Sequence, residues 1–199
     1  MVSGLDVSIK NGKVNWDFIN SQQIRFVYIQ TSEGVNTSNL YFEENAIQAK
    51  KKGIMVGTYH WFHPRMDVDN QVTFYLEISK NLGLDLPPAI CLDLHKPVIA
   101  NFSNDVQHFL ESIEKKMGQA PIIYTSESYW KTYLPKEEWA CDYSLWIDKP
   151  GNIWPSQLFP WSKWTYWQFH YQARIPGIEG LVGLNWFNGD YSELCDLVH

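Results

Sequence analysis

The chain has 199 residues, 16 basic and 22 acidic side chains, a net charge of −6, 45% hydrophobic residues and an aromatic share of 16%. This suits one globular domain, residues 1–199, able to bury a large core, and it lacks the basic balance on which nucleic-acid binding rests. No run approaches a membrane span, and the opening Met1-Val2-Ser3-Gly4-Leu5-Asp6 carries neither the basic nor the apolar segment of a signal peptide.

In chain order, short apolar or aromatic runs predict strands at 5–8, 26–32, 55–61, 89–94, 122–125, 144–148, 165–170 and 183–187. Helical periodicity predicts helices at 39–52, 67–82 and 104–117. The last has Val106, Phe109, Leu110, Ile113 and Met117 on one stripe, Ser103 or Asn104 as cap and Gly118 as terminator; Gly53 and Gly83 are expected to end the other two. Lys50, Lys51 and Lys52 read as the last turn of a helix, cations at the negative end of the dipole. In the second half of the chain the connections are short or rich in Trp, Pro and Gly. Eight strands with crossover helices predict an α/β fold, a single TIM-like (β/α) barrel with reduced helices in its second half. Of three cysteines, Cys91 reads as a buried small hydrophobe, while Cys141 and Cys195 could form a bridge.

Chemistry in such barrels collects at the carboxyl ends of the strands. Those ends present Asp6, the run Gln30 to Glu33, Tyr59 and His60, Asp93 and His95, Tyr124, Trp146 and Asp148, Gln168, and Asn185. Acids, amides and aromatic rings around one mouth suit a carbohydrate, with carboxyls for proton transfer and rings for sugar faces. In the tract Pro87-Pro88-Ala89-Ile90-Cys91-Leu92-Asp93-Leu94-His95, alternation puts Asp93 and His95 on one face. Asp148, before Lys149-Pro150, reads more readily as a solvated strand-end acid than as a catalytic one. His60 and His170 read as packing or hydrogen-bonding residues, and Glu33 as a turn residue as readily as a substrate contact.

Several tracts together resemble glycoside hydrolase family 25, the lysozymes or N-acetylmuramidases. They are Gly4-Leu5-Asp6-Val7-Ser8, Phe26-Val27-Tyr28-Ile29-Gln30-Thr31-Ser32-Glu33-Gly34, Gly57-Thr58-Tyr59-His60-Trp61, Pro121-Ile122-Ile123-Tyr124-Thr125, Leu145-Trp146-Ile147, Trp167-Gln168 and Gly183-Leu184-Asn185-Trp186-Phe187. The resemblance implies a barrel acting on peptidoglycan or another amino-sugar polymer, without cofactor, in an extracellular, phage or cell-wall setting. It implies catalytic positions at Asp6, Asp93 and His95, and substrate contacts from Glu33, Tyr59, Tyr124, Trp146, Asp148, Gln168 and Asn185.

Two positions depart from the family pattern. The fourth strand of the family ends Asp-x-Glu, the Glu being the general acid, where this chain has Asp93-Leu94-His95. The family's eighth strand carries Asp-x-Asn, where this chain has Gly183-Leu184-Asn185. The resemblance then implies glycan recognition with weak or no muramidase activity. A second reading is a glycosidase whose acid is His95, Glu33 or Asp148. A third places a divalent metal on Asp6, Asp93 and His95, chemically sensible ligands but without a His/Cys cluster at ligand spacing. Replacing His95→Glu together with Gly183→Asp is expected to restore wall lysis.

Overall fold

The computed structural model describes residues 1–80, 82–92 and 101–197. Its strands are β1 Val2–Val7, β2 Phe26–Glu33, β3 Thr37–Ser38, β4 Met55–Phe62, β5 Ala89–Leu92, β6 Ile122–Ser126, β7 Ser144–Asp148, β8 Tyr166–Ala173 and β9 Val182–Phe187. The sheet runs β1-β9-β8-β7-β6-β5-β4-β2-β3, and parallel pairing of β1 with β2 closes it into a barrel of eight strands. β3 is a two-residue antiparallel addition to the end of β2. All eight predicted strands are present.

β9 runs antiparallel to both of its neighbours, β1 and β8. The reason is chain length. Only residues 174–181 separate β8 from β9, whereas a parallel crossover needs about a dozen residues or more. The amino end of β9 therefore lies at the barrel mouth, with Gly183 opposite Asp6.

The helices are α1 Phe42–Lys51, α2 Val68–Ser79, α3 Phe102–Met117, α4 Glu127–Tyr133 and α5 Tyr191–Cys195. α3 buries Phe102, Val106, Phe109, Leu110 and Ile113 along one stripe, and Gly118 terminates it at φ 73°. Its N-cap is Asn101 at φ 71°, so Ser103 and Asn104, expected as caps, lie inside the first turn. α2 is capped by Asp67, whose carboxylate accepts from the Asn70 N–H, and it stops at Ser79, short of Gly83. α1 carries Glu43 and Glu44 in its first turn and Lys50 and Lys51 in its last, each complementing the helix dipole. Lys50 also pairs with Asp85, and Lys52, just past the helix, with Asp17.

Strand alternation divides the core. Phe26, Tyr28, Tyr59, Ala89, Ile122, Trp146, Tyr166 and Phe187 fill the barrel interior. Gly4 and Gly57 share this face because a Cβ at either would run into the ring of Phe26 or Tyr28. Outside the barrel, α2 and α3 pack on β4, β5 and β6 through Phe62, Tyr75, Ile90, Phe109 and Ile123. α1 covers β2 and β4 through Phe42, Ala46, Val27 and Val56. All three cysteines are free thiols, so the possible Cys141–Cys195 bridge is absent.

Candidate active site

A cleft of about 1090 Å³ opens at the carboxyl ends of the parallel strands. Its walls include Asp6 from β1, Tyr59 from β4, Tyr124 from β6, Trp146 and Asp148 from β7, Gln168 from β8 and Gly183 from β9. Period-two alternation puts them there: Asp6 follows Val2 and Gly4 on the inner face, Tyr124 follows Ile122, and Asp148 follows Trp146. Six of the expected site residues are thus brought together.

The others fare differently. Asn185 is fully buried and does not line the cleft, because β9 is reversed and carries it below the mouth. There its Oδ1 accepts from the Trp146 indole N–H at 2.9 Å, holding the ring that floors the cleft. Glu33 is aligned with Trp61 at the end of β2 but is not among the residues bounding the cleft. Asp93 and His95 lie outside the described residues.

His60, read at a strand end, points away from the cleft into the layer beneath α2 and α3. A register shift in β2 between Gln30 and Ser32 brings Ser32 opposite it. Its Nδ1 meets Ser32 Oγ at 2.8 Å, its Nε2 meets Gln71 Oε1 at 3.3 Å, and its ring stacks on Phe109. Burial lowers its pKa from 6.5 to about 4, so it is neutral, as a packing residue should be. His170 is exposed.

Asp6 sits at the cleft floor. Gln168 Nε2 donates to both of its oxygens, at 3.0 Å to Oδ2, and Gln168 Oε1 accepts from the Tyr124 hydroxyl at 2.8 Å. Burial raises the Asp6 carboxyl from 3.8 to about 7, and the Asp148 charge adds to the rise. The Asn185 and Gln168 amides and the Gly183 backbone oppose it. The Asn185 Nδ2 favours the charged form by proximity without completing a hydrogen bond. Asp148 is no solvated strand-end acid. It is half-buried, its Oδ1 is enclosed without a hydrogen-bond partner, and burial raises it from 3.8 to about 6 against the lowering effect of Tyr124. Two carboxyls in one cleft, each pushed by burial toward the neutral range, are the components of acid–base catalysis.

Gly183 shapes this arrangement. A Cβ there would overlap both Asp6 oxygens and Gln168 Nε2, so the Asp6 carboxylate fills the space that a side chain at 183 would need.

Trp146, expected as a groove platform, is instead a buried floor, packed against Tyr28 and edge-on to Tyr124. The exposed rings on the cleft walls are Tyr133 of α4, 44% exposed, and Tyr171 of β8, 52% exposed. Sequence reasoning missed both, together with Glu127 and Lys131 of α4. One signal was available for α4: it follows β6 directly, so it belongs to the strand-to-helix connections that build the catalytic face of a barrel. Among the described residues, no group of three or more His, Cys, Asp or Glu side chains could hold a metal ion.

The chain matches the family model described as "Glycosyl hydrolases family 25" over residues 5–178. It is 27% identical to Lysozyme M1 of Streptomyces globisporus, an alignment covering 100% of this chain and 71% of that protein. It is 25% identical to an N,O-diacetylmuramidase of Arthroderma benhamiae, covering 97% of this chain and 85% of the relative. Among solved structures, the bacterial lysozyme from Streptomyces coelicolor superimposes with a TM-score of 0.91 at 25% identity, over 99% of this chain and 96% of that one.

Proposed function

Because the chain belongs to glycosyl hydrolases family 25, we propose that its cleft recognises the glycan of peptidoglycan or a related amino-sugar polymer and cleaves it as a muramidase weakly or not at all. The observation that carries the second half is the occupied space beside Gly183. The family resemblance implies an Asp at that position, yet here Asp6 and Gln168 fill the volume such a side chain would need. Asp6 is itself raised to about 7, so it is a poor permanent anion for stabilising positive charge at an anomeric carbon. The implied general acid is also changed, with His95 in place of Glu. Loss of a general acid typically costs about 10²–10⁴ in rate. An imidazole ring also offers its proton from a different place than a Glu carboxyl does.

The cleft supports the first half. Its volume is at the upper end of small-molecule sites, it is floored by Trp146, and it is walled by exposed Tyr133 and Tyr171, amphipathic rings suited to sugar faces. A second reading, a glycosidase with rearranged acid–base residues, is favoured by one observation, the enclosed and unpartnered Oδ1 of Asp148. The test pairs calorimetric titration of soluble peptidoglycan fragments with release of reducing ends from purified cell walls. Saturable binding is expected, with lysis about 100-fold or more below that of an intact family member. Absence of binding, or lysis at the rate of the intact enzyme, would refute the proposal.

A further inference from the structure

We propose that the cleft prefers a glycan whose glucosamine residues carry a free amine, and that Asp148 and Asp6 together receive its ammonium group. The inference rests on the glycan-recognition reading above and names the form of amino sugar that the cleft takes.

The cleft gathers negative charge without a matching cation. Asp148 is opposite Gln168, Gln168 is opposite Asn185, and Asp6 is opposite Gly183, so β7, β8, β9 and β1 set both acids around one hollow. The groups that stabilise a charge on Asp6 are all neutral: the Gln168 and Asn185 amides and the Gly183 backbone. Beside Asp148 the donor is the Tyr124 hydroxyl. That hydroxyl gives its one proton to Gln168 Oε1 at 2.8 Å, and Asp148 Oδ1 is left without a partner.

The cations on the cleft wall, among the described residues, are Lys131 and Lys149, and both are engaged elsewhere. Lys131 pairs with Glu127 at 2.6 Å, and Lys149 Nζ donates to the Trp154 carbonyl at 3.3 Å. The other titratable groups facing the two acids are Tyr59, Tyr124 and Cys91, and burial keeps both tyrosines neutral. Burial accordingly pushes Asp6 up to about 7 and Asp148 to about 6. A cation bound between them reverses that push, because it favours the charged form of each.

The walls suit an ammonium group. Trp146 floors the cleft with Tyr124 edge-on to it, Tyr59 lies alongside, and aromatic rings attract cations. A primary ammonium carries one charge and three N–H donors, enough to serve both carboxyls. An acetamido group on the same sugar nitrogen carries one N–H and no charge, so it leaves the acids uncompensated. The selection is thus made at a single atom of the sugar.

Calorimetric titration of the full chain with a glucosamine trimer and with its N-acetylated counterpart, from pH 5 to 8 at about 0.15 M salt, tests this. The free-amine trimer is expected to bind about 10- to 100-fold more tightly near pH 6.5. Its affinity should rise as the carboxyls ionise and fall again as the amine loses its proton, with protons released on binding; the N-acetylated trimer should show no such maximum. Asp148→Asn, nearly isosteric and checked for its fold by thermal unfolding, should abolish the preference, and Asp6→Asn should reduce it. Glu43→Gln removes the same charge from an exposed site on α1, outside the cleft, and should leave the preference intact. A lysine-bearing stem peptide without sugar offers the same ammonium from another source and should bind weakly. The proposal is overturned if the N-acetylated trimer binds as tightly, if the preference survives Asp148→Asn, if Glu43→Gln weakens it equally, or if the peptide binds as well as the free-amine trimer. Binding of the N-acetylated trimer alone would overturn it while leaving glycan recognition standing, whereas binding of neither trimer would remove both.

Discussion

Burial lifts the Asp6 carboxyl from 3.8 to about 7, so between these values the unfolded chain is ionised there while the folded protein still holds the proton. A group raised in the folded state contributes stability that is complete below 3.8 and lost as pH climbs through about 7. Asp148 acts in the same direction between 3.8 and about 6. Asp6→Asn is therefore expected to raise the thermal midpoint at pH 8, recovering at most ~4 kcal/mol, with little change at pH 4. A thermal scan across pH checks this, and equal effects at both pH values would show that the carboxyl is not strained by burial. Position 183 carries the complementary constraint. Gly183→Ala alone should cost ~1–3 kcal/mol by overpacking against Asp6 and Gln168, read by urea unfolding. Restoring wall lysis with His95→Glu and Gly183→Asp now carries a further requirement, that Asp6 first rotate out of the volume the new side chain needs.

The elements outside the barrel respond to pH in the opposite sense through His60. On β4 beneath α2 and α3, its pKa is lowered from 6.5 to about 4, so its contribution is present above 6.5 and fades as pH falls toward 4. The stacked Phe109 of α3 anchors the same layer, touching Phe62 and Tyr75 as well. Phe109→Ala should cost ~3–5 kcal/mol, measured by denaturant unfolding; a loss below about 1 kcal/mol would mean that α3 closes over the gap. These elements were largely legible in the sequence. The 3.6-residue stripe of Val106, Phe109, Leu110 and Ile113 gave α3 its face, and Gly118 its end. The direction of β9 was not, since alternation of apolar residues reads the same in both directions and only the brevity of residues 174–181 reveals the turn. Asn185 was misplaced for that reason alone.

At the scale of the whole molecule, eight strands close around an aromatic interior and leave one end open as the cleft. Asp6, Tyr59, Tyr124, Trp146, Asp148 and Gln168 were legible as one site because a barrel gathers inward-facing strand ends by rule. What alternation could not convey was depth. It assigns a face to Trp146 and Asp148 but not whether the ring lies on the rim or the floor, nor whether the acid meets water, and both depend on how Asn185 and Tyr124 pack from neighbouring strands. The rim tyrosines come from α4 and from the far end of β8, beyond what any single strand pattern marks. The central claim is that this cleft holds an amino-sugar glycan, and a crystal structure with a bound N-acetyl amino-sugar oligosaccharide tests it most directly. The account predicts sugar rings lying over Trp146 between Tyr133 and Tyr171, with a polar atom of the sugar within hydrogen-bonding reach of Asp148. Oligosaccharide bound elsewhere on the surface, with the cleft empty at saturating concentration, would contradict it.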